Sequence, residues 1–93
     1  MEYLPGSPVR VLVKRRERRI NVSDDGAAAA LAGTPPGWRD VAREIELEHC
    51  VNVSRQGVVF LPVHHCFTVD EIEERIARAS LALYQDLLDL ASD

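Results

Sequence analysis

Lysine, cysteine and aromatic side chains are scarce in this chain of 93 residues. The one lysine is Lys14, so basic work falls to arginine. Cys50 and Cys66 are the only cysteines, too few for a disulfide framework, and are expected to be reduced thiols. The aromatics are Tyr3, Trp38, Phe60, Phe67 and Tyr84, a thin supply for stacking on bases. No apolar run approaches the ~20 residues of a membrane span, so no membrane association is expected. Met1-Glu2-Tyr3-Leu4-Pro5-Gly6 has neither the basic start nor the apolar core of a signal peptide, which makes the cytoplasm the expected location.

What is present is ordinary for a folded chain. An apolar fraction of 46% argues against disorder and for a single small domain over residues 1–93, with a modest core. The net charge of −4 is unevenly spread. Residues 1–23 hold Arg10, Lys14, Arg15, Arg16, Arg18 and Arg19 against Glu2 and Glu17, a net of +4. Residues 24–93 hold 5 basic and 13 acidic residues, a net of −8.

Pro5-Gly6-Ser7-Pro8 reads as a stiff leader. Val9, Val11 and Val13 alternate with Arg10, Leu12 and Lys14, as in a half-buried strand. Arg15-Arg16-Glu17-Arg18 is expected at the exposed end of a hairpin whose return strand is Arg19-Ile20-Asn21-Val22. Ser23-Asp24-Asp25-Gly26 is a turn by composition. Ala27 to Ala32 allow one or two helical turns, stopped by Gly33. Thr34-Pro35-Pro36-Gly37 reads as a capped helix start. Beyond it, Trp38, Val41, Ala42, Ile45 and His49 have the spacing of a core-facing helical stripe.

Val51-Asn52-Val53-Ser54 reads as a short strand, Arg55-Gln56-Gly57 as a turn, and Val58-Val59-Phe60-Leu61 as a strand covered on both faces and ended by Pro62. Thr68 with Glu71 three residues on is a capping-box pattern, and Phe67 with Ile72 a hydrophobic staple. Glu71–Arg75 and Glu74–Arg78 are i,i+4 pairs. Val69, Ile72, Ile76, Ala79, Leu83, Leu87 and Leu90 form one apolar stripe. Leu81, Tyr84, Leu88 and Ala91 form a second, which is either a further core contact within the chain or, as the leading reading takes it, a dimer or partner interface. The fold class expected is α+β: two hairpins in a mostly antiparallel sheet, two main helices, order ββ(α)αββα.

Cys50-Val51-Asn52-Val53-Ser54, Gly57-Val58-Val59-Phe60-Leu61-Pro62 and Thr68-Val69-Asp70-Glu71-Ile72-Glu73 together resemble the C-terminal small domain of class III pyridoxal-phosphate aminotransferases, over about residues 38–88. The resemblance implies a similar local fold, or a detached small-domain segment active only as part of a larger enzyme. It does not imply transaminase activity. The family's Schiff-base lysine lies in a large domain, and Lys14 does not occupy its motif. The apolar strand has Val58, Val59 and Phe60 where many members place a carboxylate-holding arginine, and there is no cofactor-phosphate loop.

His49, Cys50, His64, His65 and Cys66 are the only cluster of soft ligands, with Cys50, His64 and Cys66 the metal candidates. The cluster lacks a Cys-x-x-Cys knuckle, and adjacent His64 and His65 point opposite ways on an extended chain, so no metal is expected. A cysteine–histidine nucleophile pair would need an orienting group and an oxyanion site, and nothing marks either. The run Lys14, Arg15, Arg16, Arg18 and Arg19 is either a solvated hairpin tip or a grip for an anion or acidic partner. Scarce aromatics and the acidic remainder count against nucleic acid, leaving weak nucleic-acid binding as a further alternative. The expected function is therefore a small homodimeric binding or assembly module, without cofactor or catalysis of its own.

Overall fold

The computed structural model describes residues 1–63 and 67–92. It is an α+β fold in which helices cover one face of a four-stranded antiparallel sheet. The chain opens with a small hairpin, β1 (Glu2–Leu4) and β2 (Ser7–Pro8), where a stiff leader was expected. Gly6 turns it at φ 88°, and its N–H donates to the Glu2 carboxylate at 2.8 Å. Val9 and Val11 pack half-buried on the core, so the next strand starts later than the valine alternation suggests.

β3 (Leu12–Arg16) and β4 (Arg19–Ser23) form the second hairpin. The helices α1 (Ala27–Ala32) and α2 (Trp38–His49) follow. α2 starts directly after Thr34-Pro35-Pro36-Gly37, as expected, but Gly37 itself stands at the N-cap in the left-handed region, and no side chain bonds there. β5 (Asn52–Val53) and β6 (Val59–Pro62) complete the sheet in the order β3-β4-β6-β5. Gly57 makes the turn between them at φ 83°, and a Cβ there would stand 2.5 Å from the Ala29 Cβ, so only glycine fits.

α3 (Val69–Ser92) lies across the sheet and packs on β4, β6, α1 and α2. Thr68 Oγ1 accepts from Glu71 N–H at 3.2 Å, the expected cap. Glu74 and Arg78 pair at 2.7 Å, while Arg75 lies over the Phe67 ring, 5.1 Å from its centre. The expected main stripe is the core: Ile72, Ile76, Ala79, Leu83 and Leu87 are all buried. Burying each of the four larger ones contributes about 1.5–3 kcal/mol. They meet Val22, Ile45, Val51 and Val59 from the other elements.

A polar knot sits inside this core. Asp24 is 2% exposed. Its Oδ1 accepts from Gly26 N–H at 2.8 Å and from Val59 N–H at 2.9 Å. Its Oδ2 accepts from the Ser80 hydroxyl at 2.6 Å. Ser80 has spent its one proton there, so the Tyr3 hydroxyl donates to Ser80 Oγ, at 2.5 Å. Asp24 also sends its own N–H to the Val59 carbonyl at 3.0 Å, extending the β4–β6 ladder. The knot thus ties β1, the end of β4, β6 and α3 together. Among the described residues no buried side-chain polar atom lacks a partner. Burial raises the Tyr3 phenol above its ordinary range; the Ser80 hydrogen bond works against this and the nearby Asp24 carboxylate with it.

Candidate functional site

No described helix covers the other face of the sheet, and strand alternation decides what stands on it. Val22, Val59, Leu61 and Val53 point toward the helices and join the core. Their neighbours therefore point outward: Leu12, Lys14 and Arg16 on β3; Arg19, Asn21 and Ser23 on β4; Phe60 and Pro62 on β6; Asn52 on β5. The cross-strand rows are Leu12–Ser23–Phe60–Asn52, Lys14–Asn21–Pro62 and Arg16–Arg19. The run at β6 is thus covered on one face, not two. None of these outward strand residues is a carboxylate. Arg19, Asn21, Asn52, Phe60 and Pro62 line a shallow concavity of about 450 Å³.

The basic run occupies the free end of this sheet. A two-residue turn, Glu17-Arg18, joins the paired Arg16 and Arg19. Glu17 takes φ 53°, a left-handed conformation that a non-glycine residue adopts at a cost of roughly 1–2 kcal/mol. All five residues of β3 are exposed, as are Arg18 and Arg19. Lys14 Nζ lies 3.7 Å from Asp25 Oδ1, with both side chains more than 60% exposed, so the pair contributes little. Among the described residues Arg15, Arg16, Arg18 and Arg19 have no carboxylate partner. The acidic side chains lie mainly on α2 and α3, the opposite layer. The molecule is therefore electrically two-sided, and its positive side is the hairpin.

The two edges of the sheet differ. On β4, the Ile20 carbonyl accepts from Val63 N–H at 2.8 Å on the β6 side, and Asp24 N–H also bonds toward β6. Ladder alternation then places the bonds of Leu12, Lys14 and Arg16 toward β4, and turns the N–H and C=O groups of Val13 and Arg15 to the open edge. No other described group bonds them. At the β5 edge, by contrast, the Glu46 carboxylate of α2 accepts from Val53 N–H at 3.0 Å.

The remaining expected residues lie elsewhere. Cys50 is exposed and caps α2 in the left-handed region, φ 54°. With His49, Glu48, Glu71, Glu74, Arg75 and Arg78 it lines an open depression of about 430 Å³. His64 and Cys66, like His65, fall outside the described residues; among the described residues no three ligands gather as for a metal ion. Near this depression the Asp86 carboxyl is raised by partial burial and by repulsion from Glu48 and Asp89, with His49 opposing. Of the second α3 stripe, Tyr84 is a buried core residue, its ring 5.3 Å from that of Tyr3, and Leu81 packs half-buried. Leu88, 39% exposed, and Ala91 stay on the surface.

Sequence reasoning found the basic run but missed Asn21, Asn52 and Phe60 beside it, because strand pairing alone brings them to one face. It also missed Asp24: the Ser-Asp-Asp-Gly composition shows a turn, and nothing local signals a partner at Ser80. No family model, no curated protein and no solved structure matches the chain, so the aminotransferase likeness rests on the residues quoted for it. No helix among the described residues is long and apolar enough to cross a membrane.

Proposed function

We propose that this chain is a non-catalytic binding module that takes an anionic partner on its basic hairpin. The observation that carries the reading is that Arg15, Arg16, Arg18 and Arg19 have no carboxylate partner among the described residues and stand on an exposed two-stranded projection, opposite an acidic helical layer. Guanidinium groups so placed have no ion pair to break before binding and present fork-shaped donors to carboxylates or phosphates. The charge separation also orients the molecule as it approaches a polyanion, an effect on association rate that falls with salt. The test is retention on immobilised polyglutamate across a salt gradient. The chain should elute later than a variant with these four arginines replaced by glutamine. Equal elution removes the hairpin from the reading.

A second reading is self-association through the C-terminal half of α3. It is favoured by Leu88, exposed beside Ala91 on a long helix whose other face is fully used. Under it Leu88→Glu turns a dimer into a folded monomer, read by sedimentation. A monomer at high concentration before mutation ends it.

A further inference from the structure

Resting on the proposed function, we infer that the anionic partner is an extended acidic polypeptide segment, which adds to the open edge of β3 as a fifth strand. Four observations converge on that edge. The outward N–H and C=O groups of Val13 and Arg15 form a row of free ladder positions, while the opposite edge is tied to Glu46. All five β3 residues are exposed, so both faces of an added strand find room. The apolar end of the strand is bare as well, with Leu12 at 40% and Val13 at 46% exposure. Finally, Leu12 passes directly into a groove of about 440 Å³ between β1–β2 and α1, lined by Pro8, Ala27, Ala30 and Leu31 with Arg10 and Asp25 alongside.

These features set the chemistry of the segment. Side chains alternate on an added strand, and each meets the β3 residue opposite it. Positions facing Lys14, Arg15 and Arg16 call for carboxylates. Positions facing Leu12 and Val13 call for apolar groups, with the groove at Leu12 as an anchor site. Main-chain hydrogen bonds would supply affinity and the alternate side chains specificity, the division of labour in strand addition. Single-stranded nucleic acid could meet the arginines but has no ladder to offer the free backbone groups, and among the described outward strand residues Phe60 is the only aromatic. A second copy of β3 would set one basic strand against another.

The experiment titrates the intact chain with a blocked peptide of about six residues, the length of a typical strand, with glutamates first and valines last, so that an antiparallel strand sets carboxylates against Arg16, Arg15 and Lys14 and valines against Val13 and Leu12. Two N-methylated isomers accompany it, each blocking the amides on one side of the peptide, together with an oligothymidylate of equal charge. The expected result is that the parent peptide binds, one isomer binds nearly as well, and the other is weaker by about tenfold or more, the effect of one or two lost backbone hydrogen bonds. Equal binding of both isomers overturns strand addition while leaving the basic hairpin as the anion site. Tighter binding of the oligothymidylate than of the peptide overturns it in favour of nucleic acid. Binding of no probe overturns this inference, and equal polyglutamate elution with and without the arginines would then overturn the proposed function too.

Discussion

The Asp24 knot and the arginine hairpin are two polar regions built on opposite terms. Asp24 is almost wholly buried, and its carboxylate accepts three hydrogen bonds from β6, α3 and its own turn. The hairpin carries more charge, all of it exposed and, among the described residues, nearly all of it unpaired. A buried carboxylate is stable only where donors are already in place, so the knot contributes to folding and has no capacity left for a ligand. An exposed guanidinium contributes almost nothing to folding and keeps its full capacity for a partner. The contrast separates polar groups that hold the fold from polar groups available to act.

Mutation can break that contrast or sharpen it. Asp24→Ala should be the most damaging, at about 3–5 kcal/mol in urea unfolding, since it strands the buried Val59 N–H and Ser80 hydroxyl and frees the half-buried Gly26 N–H. A loss below about 1 kcal/mol would mean that water replaces the carboxylate and that the knot is not structural. Tyr3→Phe should cost about 1 kcal/mol at neutral pH, because only the donor to Ser80 is lost. It also carries a pH signature. The native phenol titrates above its ordinary value of 10.0, so between that value and the native one the unfolded chain ionises first. Stability should therefore fall as pH rises through that window, and Tyr3→Phe should flatten the fall.

On the hairpin, Glu17→Gly should raise stability by about 1 kcal/mol by relieving the left-handed turn residue, as read by thermal unfolding. Arg15→Gln with Arg16→Gln should move stability by less than about 0.5 kcal/mol while shifting polyglutamate elution to lower salt. A large loss of stability in that double variant would collapse the distinction between the two regions.

Much of the fold was legible in local pattern. The α3 core stripe, the Thr68 cap, the Glu74–Arg78 pair and the strand–turn–strand around Gly57 all follow from short-range spacing. The errors share a cause. Pro5-Gly6-Ser7-Pro8 was expected to be a leader because a three-residue strand paired with a two-residue one leaves too short a periodic signal. Val58 to Leu61 looked like a strand covered on both faces because Phe60 is apolar, whether or not a layer covers it. Tyr84 fitted a surface stripe because its packing against Tyr3 spans almost the whole chain.

The sequence by itself determined the periodic elements, the glycine turn at Gly57, and the clustering of arginine in one segment, because each depends on residues a few positions apart. The tertiary structure decided which sheet face stays bare, which edge keeps free backbone groups, and that Asp24 meets Ser80 across 56 positions. Those outcomes depend on how strands order themselves and where α3 lies, and long-range packing leaves no mark in local spacing.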